Sequence, residues 1–256
     1  MVLATTNTNE SFDYEERVVA FIDVLGFASL VERSDTNLSS RANIAKLITV
    51  SELFDQFVSE YLDFAEAAFF SDSFILSMGP PDVRTLFVIR EVGYLCRYLL
   101  WQGFPCRGAI TTGALYHRGR FVVGPALVSA YRLEQSAAIY PRVILDDQTM
   151  RHWQNEFDPA SPHSNFKSMV KRDHDGQYFL DIFSPEWSTT LAWTEFLPSY
   201  DQLPTDSLTF LEETGKHIAA GLRAHSGNSK IREKYEWLAT QRREHVTSGN
   251  IAAAMR

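Results

Sequence analysis

Two aspartates stand where this chain has little reason to keep a charge. The run "VVAFIDVLGF", Val18 to Phe27, suits a buried strand at nearly every position except Asp23, and an unpaired carboxylate is costly in such a place. A second, Asp72, sits in "FSDSF", in a tight Ser71-Asp72-Ser73 turn between two short apolar runs. Carboxylates brought together repel unless a proton or a cation lies between them. Taken singly, each has an ordinary structural reading at least as good: Asp72 as a turn residue, Asp23 as a helix cap. Beyond Asp23 comes Leu25-Gly26-Phe27, where Gly26 lets the backbone turn tightly or approach something closely. Amides at such a strand-to-helix junction can be offered to phosphate groups.

The elements that must position these residues follow from periodicity. A strand at 18–24 precedes a helix in which Ile44, Leu47, Ile48, Phe54, Phe57, Val58 and Tyr61 recur near 3.6-residue spacing. "EAAFFSDSFILSMGPPD" reads as a hairpin around Asp72, and "VRTLFVIREVGYLCRYLLWQG" as a long helix stopped at Gly103. "PCRGAITTG" reads as a strand ending at Gly113, and "ALYHRGRFVVG" as an extended excursion turning at Arg118-Gly119. A third helix in "PALVSAYRLEQSA" carries Ala126, Ala130 and Leu133 as its packing stripe, and "RVILDD" is another strand. "MVKRDHDGQYFLDIF" is a final hairpin turning at Asp175-Gly176, after a polar loop in "NEFDPASPHSN".

The order strand, helix, strand, strand, helix, strand predicts an α+β fold of ferredoxin-like type, an antiparallel sheet with helices on one face. Its first strand and first hairpin are central neighbours, so Asp23 and Asp72 reach one end of the sheet. We therefore expect a lead over 1–16, a core domain over 17–185, and a linker with a helical extension over 186–256. In that extension "SLTFLEETGKHIAAGLRAH" and "KIREKYEWLATQRREHV" are two amphipathic helices, expected from Thr205 onward. Hard divalent cations favour oxygen ligands and need few protein carboxylates when phosphate oxygens complete the shell. The pair thus suits Mg²⁺ or Mn²⁺ with a nucleoside triphosphate.

Composition narrows the partners. The formal net charge is −8 with a pI near 5.4, which disfavours nucleic acid and anionic membranes. Cys96 and Cys106 lie in apolar surroundings without metal-ligand spacing, as reduced core thiols do. No secretory leader and no membrane span is legible, so a cytoplasmic location is expected. Arg97 and Arg107 are further candidates for a phosphate tail, although Arg97 suits a helix surface and Arg107 suits fixing its strand. Tyr116, His117 and Arg118 fall in the excursion, His117 as an exposed loop histidine.

"FIDVLGF" (21–27), "FSDSF" (70–74), "RGAITTG" (107–113) and "VGPALVSAYRLE" (123–134), in this order and spacing, resemble the class III nucleotidyl cyclase catalytic domain. The resemblance covers about residues 17–150. It implies a homodimer with active sites at the subunit interface, and two divalent ions, Mn²⁺ or Mg²⁺, per site. It implies Asp23 and Asp72 as metal ligands, with the Val24 carbonyl beside them, and Leu25, Gly26 and Phe27 against the phosphates. It implies Arg132 as the catalytic arginine meeting charge on the transferring phosphoryl group, and Lys171 as the late lysine touching the triphosphate.

The departures from that family bear on the substrate. Its purine cyclases read the base with polar residues where this chain has Ala68 and Phe121, and orient the ribose with an asparagine where it has Val128. A site lacking both readers does not select a purine in the usual way, and Phe121 fills volume in favour of a smaller ring. The chain is in this respect similar to the pyrimidine cyclases of bacterial Pycsar anti-phage systems. That implies conversion of UTP to 3′,5′-cyclic UMP and a separate effector that responds to it. A cytidylate cyclase, or an inactive nucleotide-binding domain of the same fold, stays open.

Overall fold

The computed structural model describes residues 13–35, 37–60, 65–155, 168–187, 203–204 and 206–254. Residues 1–12 of the expected lead, Tyr61, most of the expected loop over 155–165, the segment 188–202 and Thr205 lie outside the described residues. The elements in order are β1 (Glu15–Val24), α1 (Phe27–Glu32), α2 (Leu38–Glu60), β2 (Ala65–Phe70), β3 (Ser73–Met78) and α3 (Val83–Trp101). Then come β4 (Cys106–Arg118), β5 (Phe121–Val123), α4 (Pro125–Ala137), β6 (Val143–Leu145) and α5 (Asp147–Asn155). The hairpin β7 (Val170–Arg172) and β8 (Tyr178–Leu180) precedes α6 (Ser207–Ala224) and α7 (Ser229–Ala254).

The sheet runs β2-β3-β1-β4-β6-β8-β7, with β5 paired to β4 off this path. Its first four strands are the ferredoxin-like arrangement the sequence predicts: β1 lies antiparallel between β3 and β4. The β4–β6 pair is parallel, so the whole sheet is mixed and the fold is α+β. The strand expected to end at Gly113 instead continues to Arg118 before turning into β5. His117 is consequently inside that strand and buried, not in an exposed loop. Its Nδ1 lies 2.8 Å from the Ser77 hydroxyl, which accepts from Arg17 Nε at 3.0 Å.

Alternation along β1 assigns its two faces. Val18, Ala20, Ile22 and Val24 enter the main core with Leu76, Val92, Leu95 and Leu99, beneath α3. Val19 points the other way and packs with Leu115 and Ala126 under α4. Helices therefore cover both faces, not one. Because α3 is enclosed by the sheet and by the later helices, every residue from Glu91 to Leu100 is buried, unlike in a surface helix. Phe210, Leu211, Ile218 and Leu238 of α6 and α7 belong to the same core cluster. Arg97 is buried within α3 and is not on a helix surface: its Nη1 donates to the Ile182 carbonyl at 2.5 Å, and its guanidinium lies 3.6 Å from the Phe210 ring centre. Burial pulls it down to about 9.

α7 is pinned to the sheet edge by polar contacts. Lys171 Nζ on β7 lies 2.7 Å from Asp181, and His245 Nε2 lies 2.8 Å from the same buried carboxylate. Trp237 Nε1 donates to Asp173 at 3.2 Å, and Tyr140 stacks on the Trp237 indole.

Candidate active site

β1 delivers Asp23 to its end, and the β2–β3 turn delivers Asp72 beside it. Asp23 pairs in register with Ser73 of β3 and with Arg107 of β4. The Val24 N–H donates to the Asp72 carbonyl at 3.0 Å, which ties the hairpin tip to the strand end. Ser71 takes a left-handed φ of 59° to make the turn. Asp23 follows Val19 and Phe21 on the α4 side of the sheet, while Val24 points to the core.

The local charge balance is short of cations. Burial, and then the neighbouring Asp72, push Asp23 above the usual carboxylate range, while Arg107 pulls it back. Arg107 is shared: its Nε donates to Asp23 Oδ2 at a long 3.4 Å and sits 2.6 Å from Glu134 Oε1. Glu134 itself is fully buried, and burial raises its affinity for a proton. The Asp72 carboxylate has no hydrogen bond or ion pair among the described residues. Two close carboxylates, one unpaired and the other held up by burial and repulsion, are a donor set that fits a hard divalent cation. They would hold it with phosphate oxygens completing the shell. Among the described residues no cluster of three or more His, Cys, Asp or Glu offers a cage made of protein alone.

The junction after β1 is formed as a turn. Gly26 has φ 83°, a left-handed conformation that glycine adopts without strain. The Leu25 N–H is taken by the Pro105 carbonyl at 2.9 Å, whereas the amides of Gly26 and Phe27 donate to nothing among the described residues. Leu25 and Gly26 line a pocket of about 280 Å³ whose opposite wall is α7.

The remaining sequence-predicted residues are spread over the α4 face and its rim. Arg132 is exposed on α4, and its guanidinium has no partner among the described residues. Val128 is exposed one turn earlier, and Phe121 is exposed on β5 with its ring edge against Tyr116. Ala68 is buried in β2, opposite Ile75. The Gly119 N–H donates to Glu66 at 2.7 Å, so the tip joining β4 and β5 reaches β2 two residues from Ala68. Lys171 is not brought to the aspartates: β7 is the far edge of the sheet, and its ammonium is held by Asp181 and Glu244.

Two residues near the site were missed by sequence reasoning. The buried stripe of α4 is Ala126, Ala130 and Glu134, not Leu133. The spacing of four was readable, but an acidic residue was not expected inside without knowing that Arg107 stands opposite. The other is Lys234 of α7, close enough to Asp23, Glu134 and Arg107 for their charges to act on it. Nothing in the sequence ties that helix to β1.

Neither a scan against protein-family models nor a search of curated proteins finds a match. Among solved structures, the chain is similar in fold to the catalytic core of a rhodopsin-guanylyl cyclase with converted specificity in complex with ATPαS. The TM-score is 0.46 at 14% identity, over 67% of this chain and 97% of that one. It is also similar to two structures of a bacterial light-regulated adenylyl cyclase. One has a TM-score of 0.41 at 16% identity, over 54% of this chain and only 45% of that one. The other has 0.38 at 17%, over 57% and 83%.

Proposed function

We propose that the protein is a homodimeric pyrimidine nucleotide cyclase, converting UTP to 3′,5′-cyclic UMP and pyrophosphate. The observation that carries the reading is the meeting of Asp23 and Asp72 at one end of the sheet, tied through Val24 and short of positive charge. Asp23 and Asp72 would hold two divalent ions, Mn²⁺ or Mg²⁺, which when bound would neutralise the phosphates and acidify the ribose 3′-hydroxyl. Asp23 and Asp72 set the position of the triphosphate, so that the 3′-oxygen faces the α-phosphorus in line. The O3′–Pα bond forms as the bond from Pα to the bridging oxygen breaks; pyrophosphate leaves and the hydroxyl proton passes to solvent. Arg132, reaching in from a second copy of the chain, meets the charge on the phosphoryl group in flight.

The second copy is supported by the apolar side chains exposed around the site. Phe70 is 83% and Phe121 62% exposed, and Val128 and Tyr131 add to them on α4, a concentration that marks an interaction surface. Ala68 and Phe121, in place of polar readers, support a pyrimidine. The part in anti-phage signalling, with a separate effector for the cyclic nucleotide, follows from the resemblance to the Pycsar cyclases. A cytoplasmic setting accords with it, and among the described residues no helix is long and apolar enough to cross a membrane.

The test is incubation of the purified protein with each of the four triphosphates and Mn²⁺, reading pyrophosphate and cyclic product. UTP is expected to be consumed fastest. Faster use of CTP would make it a cytidylate cyclase, and nucleotide binding without pyrophosphate release would make it a binding domain.

A further inference from the structure

A nucleoside triphosphate carries close to four negative charges, and the two aspartates add to them. Divalent ions offset part of this, but the phosphate tail still needs a cation from the protein. Three basic residues stand out in the sequence for that task, and each is committed elsewhere. Arg97 is buried against Ile182 and Phe210. Arg107 is divided between Glu134 and Asp23. Lys171 is held by Asp181 and Glu244 at the far edge of the sheet.

One ammonium near the aspartates is not committed. Lys234 projects from α7 into the pocket lined by Leu25 and Gly26, the residues that follow Asp23 and Val24. It is half-buried and has no hydrogen bond or ion pair among the described residues. Burial is the largest influence on it and Arg107 the next; both hold it below the usual lysine range, against the smaller pull of Asp23 and Glu134. An ammonium in that state gains from an anion that can replace its lost water. The pocket, of about 280 Å³, has room for a diphosphate, and the amides of Gly26 and Phe27 are without acceptors beside it.

We propose that Lys234 of α7 grips the β- and γ-phosphates of the substrate in this pocket, so that the C-terminal helices complete the substrate site. The inference rests on the proposed cyclase reading and names the residue that reading lacks. The helix is fit for this because it does not float. Trp237 and His245 tie it to Asp173 and Asp181 on either side of β8, so the backbone that carries Lys234 is held in place before substrate arrives.

The experiment is calorimetric titration of wild type, Lys234→Met and Lys234→Arg with the α,β-methylene analogues of the four nucleoside triphosphates, in Mn²⁺, and with the matching monophosphates. The methylene bridge blocks departure of pyrophosphate, so binding is read apart from turnover. Lys234→Met is expected to weaken the triphosphate analogue about ten- to hundredfold, the loss of one charge-assisted contact. Monophosphate affinity and the melting temperature should hold, and Lys234→Arg should recover most of the loss. Equal weakening of mono- and triphosphate, or none of either, would overturn the role of Lys234 while leaving the cyclase reading in place. Failure of the wild type to bind any triphosphate analogue would instead remove both.

Discussion

Val24 and Asp72 are joined by a main-chain hydrogen bond of 3.0 Å, from the N–H of the first to the carbonyl of the second. The bond holds the hairpin tip against the end of β1 whatever the side chains carry, so the two carboxylates stay close despite their repulsion.

Asp72→Asn therefore separates chemistry from folding. The backbone tie is untouched and a repulsion is removed, so thermal stability should be unchanged or slightly raised. Pyrophosphate release should fall by more than about a hundredfold, since even outer partners of metal sites cost ten- to hundredfold. Asp23→Asn should behave alike. Normal turnover by either folded variant would show that the pair holds no reacting nucleotide.

Glu134 competes with Asp23 for Arg107. With Glu134→Gln the guanidinium loses its nearer, fully buried anion and turns to Asp23 alone. Breaking a buried ion pair costs about 3–5 kcal/mol, and the lower end applies because Arg107 keeps one carboxylate. A guanidinium committed to Asp23 should also weaken Mn²⁺ affinity about tenfold or more. Mn²⁺ titration and urea unfolding read the two effects. An unchanged Mn²⁺ affinity would mean that Glu134 does not keep Asp23 available.

The sequence made the sheet legible because its signals are local. Alternation marks β1, the Ser71-Asp72-Ser73 turn marks the first hairpin, and Asp175-Gly176 marks the last. The acidic pair followed from strand order alone. What escaped were relations between elements distant along the chain. His117 reads as a loop residue until β4 is seen to run on through it. Glu134 falls outside the packing stripe read for its helix until Arg107 is seen facing it, and Lys234 is one basic residue among several on an amphipathic helix until α7 packs beside Gly26. Buried polar partners of this kind are specified by tertiary contact, which periodicity does not record.

His117 gives the protein a pH-dependent stability of its own. Burial, then the charge of Arg17, lowers it to about 4 from an ordinary 6.5, against a weaker upward pull from the Gly119 main chain. Between those values the unfolded chain takes up a proton that the folded one refuses. Stability therefore falls as pH drops from about 6.5 to about 4, by up to about 3 kcal/mol. His117→Gln cannot titrate, so the stability gap between it and wild type should close by about that amount from pH 7 to pH 4. Parallel pH profiles in urea unfolding would contradict this.

Gly221 sets the approach of α7 to α6. A Cβ there would lie 2.1 Å from the Tyr235 ring, and Tyr235 lines the same pocket as its neighbour Lys234. The ring is hemmed in by His225, which stacks on it at 5.8 Å between centroids, so the helix must move rather than the side chain. Gly221→Ala should cost about 1–3 kcal/mol through overpacking and carry Lys234 away from the Gly26 turn. The triphosphate analogue should then bind several-fold more weakly while the monophosphate binds as before. Adding Tyr235→Ala removes the obstacle, so in the double variant the two stability losses should not add, and triphosphate binding should recover. Additive losses with no recovery would show that the spacing of α6 and α7 has no bearing on the phosphate tail.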